Sequence, residues 1–308
     1  MTLLSKRFAL RKDLISSGTM DAPAPLCVLF DNGSLRPAAT RNLRTIARRL
    51  QIALGVSVHP ASLLHSSAIP PARLGGVPAQ LLEPALRRLL RAGDTNIVLV
   101  PLFFGPSAAL TEYVPRRLRQ LSRAFPAARL QLARCLVDPK DRRDTRVARI
   151  LADHVGAVIR ARKLRCPPVV LVDHGSPQRE VTAVRNELGR QMRRLLGRRI
   201  SGLAVAAMER RHGPEYDFGG PLLAGLLRRP EYARKPVVVA RQFLAPGRHA
   251  GPRGDIADIC RAAERARPGL KIHLTAPIGS DPRLIDVLAG RYREASAAAA
   301  IRGRAFAR

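Results

Sequence analysis

The chain has 308 residues, 46% of them hydrophobic and 4% aromatic, and carries a formal charge of +31. That is enough apolar material for two cores of about 150 residues each, and it excludes a disordered chain. No apolar run reaches the roughly 18–20 residues of a membrane-spanning helix, so no membrane partner is expected.

Residues 1–24 read as a tail ending in small residues and prolines, with Met20 an alternative start and an amphipathic targeting peptide an alternative reading. Strand-like and helix-like segments then alternate. "LCVLFDNG" is followed by the helical "AATRNLRTIARRLQIAL", then "GVSVHPASLL", "PAQLLEPALRRLLRAG", "TNIVLVPLFF", "PRRLRQLSRAF", "ARLQLARCL" and a helix over 142–160. After a linker at 161–167 the order repeats. "PVVLVDHG" leads to "EVTAVRNELGRQMRRLL", "ISGLAVAAME", "GGPLLAGLLRR", "KPVVVARQFL", "DIADICRAAERA", "LKIHLTAP" and a helix from about 282. The helical stretches carry apolar residues three and four apart, and the strands are unbroken Val/Ile/Leu runs of the kind buried on both faces. The expected fold is α/β, with two tandem, internally duplicated lobes, each a mainly parallel four-stranded sheet flanked by helices. The first lobe is placed at 25–160, the second at 168–297, and a basic tail at 298–308.

The duplication is also visible residue by residue. Asp31-Asn32-Gly33-Ser34 matches Asp173-His174-Gly175-Ser176, "VLVPLFFGPSAAL" matches "VVVARQFLAPGRHA", and Asp138-Pro139 matches Asp281-Pro282, at offsets of 142, 140 and 143 residues. Ligands of open parallel sheets bind beyond the carboxyl ends of the strands. In the second half those ends carry His174, Glu209 and, after the third strand, His249. Two imidazoles and a carboxylate on one edge can hold a divalent transition metal and leave positions open, or the carboxylate can act as a base. Each alone also has a plain reading, as a turn residue or a solvated loop residue. His212 is an auxiliary candidate, while His59, His154 and His273 lack such a setting.

Other chemistries find less support. Cys27, Cys135, Cys166 and Cys260 contain no C-x-x-C pair, which argues against structural zinc, an iron–sulfur cluster or a disulfide framework. The G-x-S-x-G elbow, the phosphate loop and the G-x-G-x-x-G fingerprint are all missing, so no ATP or other nucleotide is expected. Only six of the 54 basic residues are lysine, and the arginines spread along the whole chain without interleaved aromatics. Genomic codon bias or an anionic substrate explains that charge better than a nucleic-acid partner does. With no secretory signal visible, the compartment reads as cytoplasmic.

At "HGS" (174–176), the strand-end Glu209, "FLAPGRH" followed by Asp255-Ile256, and "PIGSDPRLIDVLAGR", the sequence resembles the sirohydrochlorin chelatases of the CbiX/SirB type, over residues 25–297 in two copies. The resemblance implies insertion of Co²⁺, Fe²⁺ or Ni²⁺ into a polycarboxylate tetrapyrrole without ATP, in cobalamin or siroheme synthesis, at a cleft between two α/β lobes. It makes His174 and His249 the metal-holding histidines and Glu209 their carboxylate. Arg210, Arg211, Arg241 and Arg248, with Ser176, are the candidates to bind the substrate's carboxylates. Asn32 and Ala109 replace the two histidines in the first lobe, and the Glu209 equivalent falls near His65. One active centre is therefore expected, in a monomer whose first lobe supplies the opposite wall, with Glu112, Tyr113 or His65 facing in. A non-catalytic carrier of metal or tetrapyrrole is the alternative, and a basic nucleic-acid-binding protein a further one.

Overall fold

In a computed structural model of the protein, residues 24–233, 235–245 and 247–305 are described; of the expected tail at 1–24, all but Ala24 lie outside them. The apolar run Leu26–Asp31 forms β1, flanked in parallel by β2 (Val58–Ser62) and β3 (Asn96–Pro101), with β4 (Arg129–Leu132) beyond β3. The second half repeats this. β5 (Pro168–Asp173) lies between β6 (Gly202–Ala207) and β7 (Val237–Arg241), with β8 (Ile272–Leu274) outermost. Pro60 is tolerated within β2 because that strand is an edge.

Helices cover both faces of each sheet, as the unbroken apolar strands require. α1 (Pro37–Leu54) buries Leu43, Ile46, Ala47 and Leu50 at helical spacing and stops on Gly55 in the left-handed conformation. α2 (Leu82–Arg91) and α3 (Val114–Ala124) close the outer face of the first sheet over Val28, Phe30, Ile97 and Leu99. α4 (Arg146–Ala161) ends the first half, and the second half carries α5 (Arg179–Leu196), α6 (Leu223–Leu227), α7 (Asp255–Ala266) and α8 (Arg283–Ala305). α6 and α7 pack on the outer face of the second sheet over Val170, Val172, Val237 and Val239. The remaining faces of both sheets, with α1, α4, α5 and α8, share one continuous core. The order of layers is helices, sheet, helices, sheet, helices.

The spatial lobes are not the sequence halves. α8 packs on α1, β3 and β4 of the first sheet, whereas α4 packs on α5 and β7 of the second. Each repeat sends its last helix to the other lobe. The expected bounds at 160 and 168–297 follow the sequence repeat, whereas α4 packs with the second sheet and α8 with the first. α8 runs on through Ala305, into the expected tail at 298–308.

Arg291 fastens the exchange. Its side chain is 1% exposed and donates to the carbonyls of Cys135 and Leu136 and, at 2.6 Å, to the Asp144 carboxylate. His154 on α4 does the same on the other side, with its ring nitrogens 3.2 Å from the Ala276 carbonyl and 3.1 Å from Asp281.

Burial alone would raise the Asp144 carboxyl, but hydrogen bonds from Arg146 and the charges of Arg146 and Arg291 bring it down to about 2. Its unfolded value is about 4, so its stabilisation is present above pH ~4 and is lost as pH falls through about 2. Urea unfolding of Arg291→Met should show a loss of about 1–3 kcal/mol at neutral pH, because the Cys135 and Leu136 carbonyls lose their buried donor while Arg146 still pairs with Asp144. In Asp144→Asn the acid limb of the stability–pH profile should flatten.

Candidate active site

β5 ends at Asp173, so His174 is the first residue past the strand. The next turn depends on Gly175. Its φ is +95, and a Cβ there would lie 2.0 Å from the carbonyl oxygen of Glu209. Only glycine lets the chain after β6 approach so closely. The Met208 N–H then bonds to the Asp173 carbonyl at 2.8 Å and the Glu209 N–H to the His174 carbonyl at 3.1 Å, which extends the β5–β6 pairing past the strands. These bonds set the two side chains side by side, with His174 Nε2 3.3 Å from Glu209 Oε1.

His249 comes from the loop after β7, and its ring meets that of His174 edge-on with centroids 4.7 Å apart. Its Nδ1 lies 2.6 Å from Asp255 Oδ2, the first residue of α7. A carboxylate on one imidazole nitrogen fixes the tautomer and leaves the other nitrogen free to bind a metal. Two ligands each about 2.1 Å from a tetrahedral ion stand about 3.4 Å apart, close to the His174–Glu209 spacing. The three predicted ligands thus meet at one strand edge. Among the described residues, however, no three His, Cys, Asp or Glu side chains form a closed metal-holding group. Glu209 is 64% exposed and His249 is held back against Asp255, so the arrangement is open.

Beneath the site lies a buried ion pair. Arg185 of α5, 1% exposed, donates to Asp173 Oδ1 at 3.0 Å and to the Gly219 carbonyl at 2.8 Å. Burial pushes the Asp173 carboxyl up, and the Arg185 charge and hydrogen bond oppose that shift. One guanidinium therefore ties the strand end that carries His174 to the loop that follows Glu209.

The predicted arginines behave differently from one another. Arg241 is buried, and its guanidinium donates to the backbone carbonyls of Thr275 and Ala250. With these two bonds it braces the loop carrying His249. Arg248 is exposed, with Nε 3.8 Å from Asp255 Oδ2. Arg210 pairs with Asp217 at 3.1 Å, and Arg211 lies over the Tyr216 ring. Ser176 Oγ accepts the Gln178 N–H and fixes the turn. His212 is exposed and outside the cluster. From sequence, Asp173 entered only as part of the repeat and Asp255 only as part of the family pattern, neither with a role, and Arg185 was not singled out.

In the first lobe Gly33, with φ +86, approaches the Leu64 carbonyl in the same way, and the Leu64 N–H bonds to the Asn32 carbonyl at 3.1 Å. The counterpart of Glu209 is therefore Leu64, next to His65, near which it was expected. His65 itself is exposed with φ +64.

Comparisons with known proteins agree with this architecture. The solved structure of SirB from Bacillus subtilis with Fe³⁺ superposes with a TM-score of 0.69 at 15% identity, covering 89% of this chain and 96% of that one. The sirohydrochlorin chelatase SirB from Bacillus subtilis subspecies spizizenii, in complex with cobalt, gives 0.65 at 14% identity, covering 88% and 95%. A search of curated proteins finds no match to this sequence. The CbiX family model matches twice, over residues 26–151 and 168–295, one match for each copy of the duplicated unit. With most of its length so matched, and with that fold, the chain belongs to the CbiX family.

Proposed function

We propose that the protein inserts a divalent metal ion (Co²⁺, Fe²⁺ or Ni²⁺) into sirohydrochlorin or a closely related polycarboxylate tetrapyrrole, at a single centre in the second lobe. The observation that carries this reading is the convergence of His174, Glu209 and the Asp255-backed His249 on one strand edge. Family membership and the SirB-like fold support it.

In the proposed reaction the incoming metal is substrate. The Nε2 atoms of His249 and His174 and the Glu209 carboxylate hold it with open positions that the pyrrole nitrogens can fill. As the metal enters the ring, two N–H protons leave. Glu209 is placed to accept one, and solvent at this exposed edge removes the other. Metal–nitrogen bonds replace N–H bonds with no change in redox state, so no electron donor or acceptor is needed. Arg248, 74% exposed beside His249, is the candidate partner for a substrate carboxylate. Arg210, held by Asp217, is a second at the Glu209 side.

The test is anaerobic mixing of sirohydrochlorin with Co²⁺, followed by absorption. Wild type should accelerate insertion over buffer, and His174→Ala should lose about 100-fold or more of that rate. Metal and macrocycle binding without acceleration would instead identify a carrier. Asp255→Asn should weaken Co²⁺ binding about 10–100-fold, read by calorimetric titration, with the fold unchanged by circular dichroism. Unaltered affinity would show that the Asp255–His249 bond does not serve the metal.

A further inference from the structure

The strand ends of the first lobe line an open cavity of about 610 Å³, well within the roughly 300–1,000 Å³ of small-molecule sites. Its lining includes all three positions that correspond to the second lobe's proposed ligands: Asn32, Leu64 and Ala109. An amide, an isobutyl group and a methyl group make a neutral, largely apolar wall with little hold on a transition metal. Arg116 and Arg119 of α3, together with Tyr113, complete the part of the lining that matters chemically. Both arginines are exposed, and among the described residues neither makes a hydrogen bond or an ion pair. Glu112 is the one carboxylate among the lining residues.

This cavity is coupled to the other lobe. Gln178, four positions after His174, accepts the N–H of Ala108 from the cavity wall at 2.7 Å. Gly105 just before that wall lies against Val184 of α5, where a Cβ would come within 2.4 Å of the valine. The loop that carries His174 is thereby fastened to the loop that lines the cavity.

We propose that the cavity is a docking site for a carboxylate-bearing edge of the tetrapyrrole, so that the first lobe holds the macrocycle while the second holds the metal. This rests on the chelatase reading above. An apolar wall with an aromatic ring suits the face of a pyrrole system, and two free guanidinium groups one helical turn apart suit its carboxylates. Replacing imidazole and carboxylate by Asn, Leu and Ala also removes competition for the metal. The vestigial site is thus a macrocycle site in its own right.

The test separates the two ligands. Uroporphyrin, a polycarboxylate porphyrin, is titrated by its own fluorescence, and Co²⁺ is titrated separately by calorimetry. The proteins are wild type, the double variant Arg116→Glu/Arg119→Glu, its charge-conserving counterpart Arg116→Lys/Arg119→Lys, and His174→Ala/His249→Ala. Charge reversal should weaken porphyrin binding about tenfold or more and leave Co²⁺ affinity unchanged. The lysine pair should retain most of the porphyrin affinity, which separates charge recognition from a folding defect. The histidine pair should lose Co²⁺ and keep the porphyrin. Porphyrin affinity indifferent to the arginines but lost with the histidines would overturn the placement while leaving the chelatase reading intact. A folded wild type that binds no porphyrin would overturn the chelatase reading and the placement with it.

Discussion

A Cβ at residue 175 would sit 2.0 Å from the Glu209 carbonyl oxygen, and the backbone there has φ +95. Those two facts require glycine, and the rest of the site follows from them. Because the chain can turn so tightly past β5, the connection after β6 stays hydrogen-bonded to it for two more residues. His174 and Glu209 are then neighbours by register, with no dependence on a flexible loop finding its place. The same contact recurs at Gly33 and Leu64 in the first lobe. The geometry that brings strand ends together is therefore a property of the duplicated unit, and the chemistry is what each copy hangs on it.

Under that shared frame the copies differ in how they hold the aspartate before the turn. Asp31 accepts the hydroxyl of Ser62 at 2.7 Å, whereas Asp173 faces a fully buried guanidinium. Ala207 occupies the register position of Ser62, and Leu43 the sequence position of Arg185. A buried ion pair gains little over a neutral pair in stability alone. Its use here is spatial, because the arginine that meets Asp173 also reaches Gly219 and sets the chain on both sides of the candidate ligands. The first lobe, which keeps none of the three ligands, manages with a hydroxyl.

Much of this was legible in the sequence, for a physical reason. Strands buried on both faces are written as unbroken apolar runs, so the polar residue that ends one stands out, and His174 and Glu209 could be found that way. Helix amphipathicity is less informative. The apolar stripes on α4 and α8 say that each must be buried but not against which sheet, so the exchange between lobes left no mark in the pattern. Arg241 shows a related limit. A strand-end arginine looks like a ligand for anions, and only the folded loop shows that two of its N–H groups are given to backbone carbonyls. The sequence could place the counterpart of Glu209 only near His65, because the offset drifts, whereas the hydrogen-bond register gives Leu64.

The exchange of helices bears on why the two sites could diverge. In a symmetric dimer of identical lobes every substitution appears twice, so a site cannot lose its ligands in one copy alone. Joining the copies in one chain removes that constraint, and here each lobe takes its last helix from the other. The interface still carries the marks of the symmetric arrangement. Val184 approaches the loop after β3 at Gly105, and its equivalent Asn42 approaches Gly279, beside the loop after β7. Yet Gln178 reaches across to Ala108, while its counterpart Arg36 has no acceptor oxygen in its side chain and cannot take up such a bond. Asymmetry has thus entered both at the strand ends and at the contact between lobes. A pair of lobes that can no longer exchange roles is free to present different side chains at its two strand edges.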